Sequence, residues 1–251
     1  MRIVICLAMS LCCLVVDAAG QGRGFPRSLQ ELGKKQEIKR ENRWTIVDWL
    51  AAKAKFRMMD QWLALHSSDT EFEMYMGGDY GDLSLEVDGI ETANGLERKA
   101  GEIGFSYSIF GLSAAYENVE RDLYGWNAAL QLRFLGTSMQ NSNLTAEYGI
   151  QERQLDRGGV GDHMQQQFVG IRATFYLLSF LGLQSSYRFY LSADTDLGSE
   201  VTGSIVQGMA FIEFSIFRVF ANWYSESLEL ESAGRVQQKR EGLLGGLQLY
   251  F

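Results

Sequence analysis

Histidine is the first side chain to consult for proton transfer near neutral pH, and the chain has two, His66 and His163. His163 follows Asp162, and further on Asp194-Thr195-Asp196 supplies another close pair of carboxylates. An aspartate orienting an imidazole, with a second acidic pair to activate water, would suffice for hydrolysis by general-base catalysis. The competing reading is ordinary: solvated acids in surface loops. No serine in a strand-like segment stands near either histidine as a nucleophile would. Cys6, Cys12 and Cys13 all fall in the opening apolar stretch, which leaves the rest of the chain without disulfide, thiol or cysteine–metal chemistry. The acids of Asp79–Asp88 do not have calcium-loop spacing. Asn143-Leu144-Thr145 fits a glycosylation triplet but sits in a strand-like segment. No metal, no cofactor and no enzymatic activity is expected.

A second group of residues matters more, because it recurs with a period. From Glu71 onward, apolar and polar residues alternate, the signature of strands with one apolar face. Phe72, Met74, Met76 and Tyr80 oppose Glu73 and Tyr75; Trp126, Leu130 and Phe134 oppose Gln131 and Arg133; Val169, Ile171 and Phe175 oppose Arg172 and Thr174. Ten such segments can be counted. Their polar faces hold Glu73, Glu102, Glu117, Glu147 and Glu213 against Arg133, Arg172, Arg188 and Arg218. Acids and bases in near balance at similar depth predict a cross-lumen ion-pair network, since an isolated buried charge costs several kcal/mol. A barrel of about eight strands is just filled by its side chains, whereas water-filled porins need ~16. A ten-stranded lumen with these long side chains should be nearly closed, with a small gated pore as the alternative.

The elements that would position these charges follow in chain order. A short basic start, the uncharged run Ile3–Val16 and the small residues Ala18-Ala19-Gly20 describe a secretory signal peptide over 1–19. Residues 20–43 hold the only proline, Pro26, and seven Lys/Arg against three Glu; they read as a basic flexible tail. Residues 44–68 are rich in helix formers without Gly or Pro and predict an α-helix at one end of the barrel, as a periplasmic cap or plug. Its charges fall in two stripes, unlike the single broad apolar face of a surface helix. Residues 70–251 form the barrel. The formal charge is −8, and residues 44–251 carry fifteen bases against twenty-seven acids, which argues against nucleic acid as a partner. Twelve per cent aromatics and 27 glycines with a single proline suit a transmembrane barrel, where only alternate residues face lipid.

The last segment, Gly242–Phe251 (GLLGGLQLYF), alternates cleanly and closes on Phe251, with Leu247, Leu249 and Tyr250 before it. It resembles the C-terminal strand of bacterial outer-membrane β-barrel proteins. The resemblance implies an all-β, up-and-down, antiparallel transmembrane barrel in a Gram-negative outer membrane. It further implies that Leu247, Leu249, Tyr250 and Phe251 are read as a signal by the barrel-assembly machinery. The connections divide into apolar-flanked ones near Phe110-Gly111, Leu135–Asn141, Ser179–Gly182 and Ile216-Phe217, and polar loops over Asp82–Glu97, Glu120–Tyr124, Gln154–His163, Asp194–Ser199 and Glu229–Gln238. An even strand count puts both termini at the short-turn, periplasmic end. The Asp/His and Asp-x-Asp pairs at the other mouth are similar in parts to the omptin surface proteases, with the two pairs in reversed chain order. The expected role is structural: lipid as solvent, and a periplasmic protein or the cell wall as partner through residues 20–66. Leu83–Val87 either continues the first strand or forms another.

Overall fold

A computed structural model describes residues 72–251 apart from 121–122, 137, 158–159 and 232–234; the side chains of 155–161 are also not described. The signal peptide, the basic tail and the expected helix over 44–68 lie outside these residues. Ten antiparallel strands form a closed barrel in which each pairs with its chain neighbours, and the last closes on the first. They are β1 (Phe72–Val87), β2 (Ile90–Tyr107), β3 (Phe110–Val119), β4 (Leu123–Leu135), β5 (Asn143–Arg157), β6 (Val160–Tyr176), β7 (Leu181–Asp194), β8 (Glu200–Phe214), β9 (Phe217–Glu231) and β10 (Arg235–Tyr250).

The period-two pattern fixes which residues face out. Phe72, Leu112, Leu130, Ile171, Val219 and Leu247 are exposed, while Glu73, Ser113, Gln131, Arg218 and Gln248, the strand neighbours of five of them, are buried inside. A one-residue slip would exchange these sets on a whole strand, so the pattern also fixes register. The outward apolar residues form a continuous band. Its lower edge, at the end carrying Phe72 and Phe251, is a ring of phenylalanines including Phe110, Phe134, Phe175, Phe214 and Phe217. Its upper edge is amphipathic, with Tyr80, Tyr116, Trp126, Tyr148, Tyr187 and Trp223. Tyr148 donates a hydrogen bond to Gln167 (2.9 Å) and Trp223 Nε1 one to Glu241 (3.1 Å). Aromatic belts bounding an apolar band are expected where rings meet both lipid and water. Phe72 to Tyr80 covers ~26 Å along the strand, or ~20 Å along the axis at a tilt of ~40°.

The two ends differ in a way the sequence pattern does not convey. The segments expected to be polar loops are mostly strand. β1 and β2 run through Asp82–Val87 and Ile90–Glu97 to a two-residue turn at Asp88-Gly89, and β9 and β10 consume most of Glu229–Gln238. Asp88 and Gly89 both have positive φ (51° and 82°), the pairing a tight hairpin turn requires. Leu83–Val87 therefore continues the first strand. Polarity on both faces made these stretches look like loops, but above the apolar band both faces of a hairpin wall can be polar. At the other end, the expected turns at Phe110-Gly111 and Ile216-Phe217 lie two and one residues earlier, at Ser108-Ile109 and Ser215-Ile216. There Ser108 and Ser215 take positive φ (55° and 56°). The polar hydroxyl at the left-handed position, rather than the glycine or phenylalanine, marks the bend.

The closing seam depends on small residues. Thirteen residue pairs join β1 to β10, from Tyr75↔Tyr250 to Val87↔Gln238. Beyond them Phe251 N–H donates to Met74 O (2.8 Å) and Met74 N–H to Phe251 O (3.2 Å). Gly246 faces inward, where a Cβ would collide with the Phe220 ring; Gly245, next to it, faces outward into open space. Gly246→Val should therefore impair closure, costing roughly 1–3 kcal/mol or more by overpacking, while Gly245→Val should be tolerated. Urea unfolding in vesicles, read by the heat-dependent gel mobility of the folded barrel, checks the contrast.

Candidate functional site

The interior of the barrel is a charged array arranged in layers. Among the described residues, seven arginines point inward, Arg98, Arg133, Arg153, Arg172, Arg188, Arg218 and Arg240. Seven carboxylates pair with them, from Glu73, Asp79, Glu102, Glu117, Glu147, Glu213 and Glu226. The paired set is neutral, and no described lysine belongs to it. A planar guanidinium stays charged and reaches two carboxylates at once, which a single ammonium does less well.

In the lowest layer, near Phe251, Arg218 donates through Nε (3.2 Å) and Nη2 (2.8 Å) to Glu213 Oε2 and through Nη2 to the Tyr176 hydroxyl (2.7 Å). Tyr176 in turn donates to Glu213 (2.6 Å). The guanidinium lies between the rings of Phe211 and Tyr250, 4.0 and 4.5 Å from their centres. Both Arg218 and Glu213 side chains are 1 % exposed. Across the mouth, Arg133 donates to Glu73 (3.1 Å) and Ser106 (2.8 Å).

The middle layer runs from β1 to β7. Tyr75 donates to Glu102 (2.5 Å), Arg172 bridges Glu102 (3.4 Å) and Glu147 (2.8 Å), and Arg188 completes the run at Glu147 (3.0 Å). The upper layer is one alternating chain. It passes from Asp79 through Arg98 to Glu117, on to Arg153 (2.7 Å), across the lumen to Glu226 (2.5 Å), and ends at Arg240 (3.0 Å). Above it the lumen turns apolar: Leu83, Val119, Leu123, Met164, Val201, Leu228 and Leu230 close together on Phe168, Tyr190 and Tyr224.

Glu73, Glu102, Glu117, Arg133, Glu147, Arg172, Arg188, Glu213 and Arg218 each form at least one of these ion pairs. Asp79, Arg98, Arg153, Glu226 and Arg240 were missed. Three of these sit at the edges of segments read as loops, yet each keeps the parity of its strand: Arg98 with Glu102, Arg153 with Glu147, Arg240 with Gln248. Continuing the alternation two residues at a time would have found them.

The lower mouth is closed by the connection between β4 and β5, expected only as a turn. Of its described residues, Ser138, Gln140 and Asn141 are buried in the lumen. Met139 N–H donates to Glu73 (2.9 Å), while Gln140 Nε2 donates to Glu213 (3.0 Å) and to Ser215 O (3.3 Å). The segment thus crosses from β1 to the β8–β9 turn, held by two carboxylates that also hold arginines. Asn143 Nδ2 ties it together by donating to Asn141 O (2.9 Å).

The candidate hydrolytic residues do not converge. Asp162 and His163 are consecutive on β6 and so point to opposite faces. Asp162 is buried and accepts a hydrogen bond from Leu197 N–H (3.2 Å), whereas His163 Nε2 lies outside against Glu152 Oε1 (2.9 Å). Asp194 and Asp196 are exposed, with the buried Thr195 between them. The backbone does bring the two segments together, since Asp196 N–H donates to His163 O (3.0 Å), but the orienting pair is split by the wall. His66 lies outside the described residues. Leu247 faces outward and Gln248 and Tyr250 inward, so the terminal segment presents its alternation as the sequence indicates.

No known family profile and no curated protein matches the chain. Among solved structures, it is similar to the outer membrane protease OmpT from Escherichia coli, with a TM-score of 0.54 at 10% identity over 73% of this chain and 98% of that one. The KdgM porin aligns with a TM-score of 0.33 at 14% identity over 70% and 99%. Ail, the attachment invasion locus protein of Yersinia pestis, gives 0.27 at 9% over 72% and 100%. The first of these likenesses shows the fold: a closed antiparallel barrel of the outer-membrane type.

Removing one partner from the lowest layer leaves a bare buried charge. Arg218→Met should destabilise the barrel by about 3–5 kcal/mol. Pairing it with Glu213→Leu should cost clearly less than the sum of the two single changes. Equilibrium unfolding of the four proteins in vesicles gives this cycle directly.

Proposed function

We propose that the chain is an outer-membrane β-barrel of a Gram-negative bacterium, with its short-turn end and both termini on the periplasmic side. It works there as a closed scaffold rather than as an open channel. The band of apolar residues between aromatic belts supports lipid as its solvent. The alternating Gly242–Phe251 strand supports the barrel-assembly machinery as its first partner. One observation carries the closed reading: two seals of different chemistry stand in series. The polar segment between β4 and β5 fills the lower mouth, and the apolar layer around Leu83, Val201 and Leu228 fills the upper lumen. A hydrated ion would have to displace the first and then cross the second without water.

What the scaffold offers is at its ends. Above the band, tall hairpins present exposed acids, among them Asp88, Glu91, Glu120, Asp194, Asp196, Glu200 and Glu231. The basic charge of residues 20–43 suits the N-terminal stretch 20–66 to docking a periplasmic protein, the cell wall or anionic lipid. The surface-hydrolase reading loses ground because Asp162 and His163 face opposite ways. A small gated pore is the second reading, supported by the polar chambers within the lumen.

Planar-bilayer recording of the full-length protein beside a variant lacking residues 20–66 separates the two. The scaffold reading expects no steady current from either. Current that appears only after truncation would make the N-terminal segment a plug and overturn the scaffold reading in favour of the pore.

A further inference from the structure

Between the plug segment and the upper ion-pair chain the lumen is not solid. A lower chamber of about 40 Å³ and an upper one of about 80 Å³ adjoin at Arg172, Gln184 and Gln248. One water occupies ~10–15 Å³ by this measure, so both have room for several. The chambers differ in charge. The upper wall mixes signs, with Asp79, Glu102 and Glu117 beside Arg98, Arg153, Arg172 and Arg188. The lower wall carries Arg133, Arg172 and Arg218 together with Tyr75, Tyr250 and Asn143, and among the described residues no carboxylate lines it. Glu73, Glu102, Glu147 and Glu213 bind these arginines without lining the chamber. Three paired arginines therefore present their positive ends to one small cavity.

Two donors of these arginines are under-used. Arg172 Nε is buried with no hydrogen-bond partner. Arg218 Nη1 reaches Gln248 Oε1 at 3.5 Å, the outer limit of a hydrogen bond. We infer that the lower chamber is a binding site for one small monovalent anion, a halide or a one- to two-carbon carboxylate, held by Arg172, Arg218 and Arg133. Cations nearer than their counter-ions in a low-dielectric site give a positive local potential although the whole lumen is neutral. Met139, in the connection between β4 and β5, and Asn143, the first residue of β5, also line the chamber. The site does not depend on whether the barrel anchors a partner.

Bromide is the probe. Crystals of the full chain grown with bromide should show an anomalous peak within hydrogen-bond reach of Arg172 and Arg218. In detergent, exchanging gluconate for bromide at equal ionic strength should raise the unfolding midpoint in a saturable way. Gln248→Glu keeps the acceptor for Arg218 and Tyr250 but adds a carboxylate at the wall, and should weaken bromide at least tenfold. Thr145→Asp, on the facing strand, should do the same and serves if the first variant does not fold. A chamber holding only water in the wild-type crystal, or bromide binding equally well in a folded variant, would overturn the proposal.

Discussion

A buried guanidinium needs a carboxylate within reach, and among the described residues the inside of this barrel meets that demand seven times. Desolvating each charge is costly enough that an unpaired one would destabilise the fold by several kcal/mol. The pairing therefore constrains everything around it. Arg153 meets both Glu117 and Glu226 only if β5 and β9 face each other across a lumen of this width. Arg218 meets Glu213 only if the β8–β9 turn keeps its register, where Glu213 sits directly opposite Arg218. The backbone ladder closes the wall, while the charges specify how the wall must be closed.

Aromatic rings and glycines are the other half of the same packing. Arg218 is flanked by Phe211 and Tyr250, and Arg98 and Arg153 lie over the rings of Tyr224 and Tyr190. Each ring offers its negative face to the cation and covers the arginine stem. Room for rings of this size comes from residues lacking a side chain on the neighbouring strand, as where Phe220 lies against Gly246 and Tyr75 against Gly104. Tyr250 belongs to the closing strand, so the cation that holds the lower layer also links the last strand to the core. Closure of the sheet and filling of the lumen are one event energetically.

The lumen grades from polar at the terminus-bearing end to apolar at the other. That order suits a protein with water at one mouth and tall hairpin walls at the other, because the segment between β4 and β5 can satisfy its own backbone against Glu73 and Glu213. The upper layer has no such partners and closes by burying Leu83, Val201 and Leu228 instead. The connection Gly136–Ser142, described at 136 and 138–142, thus packs into the lower mouth. Composition gave no sign of it: Gly, Thr, Ser, Met, Gln, Asn and Ser read as an exposed turn. Its entry into the lumen depends on two carboxylates more than sixty residues away in sequence.

Side chains alternate along a strand whatever the strand pairs with, so alternation alone assigns a face to nearly every described strand residue. From that alone follow the ten strands, the apolar band, the nine charges expected inside and the closing role of Gly242–Phe251. Asp79 and Glu226 share the parity of the polar faces of β1 and β9, and Arg98, Arg153 and Arg240 keep the parity of their strands at the edges of hairpin walls whose two polar faces read as loops. Which arginine meets which carboxylate was not legible. Parity is local, but the distance from Arg153 to Glu226 or from Arg172 to Glu102 depends on the curvature and stagger of the closed wall. The same holds for Asp162 and His163, neighbours in sequence that the wall separates. Only the closed barrel decided that the charges form layers, that a turn becomes a plug, and that three cations share one small chamber.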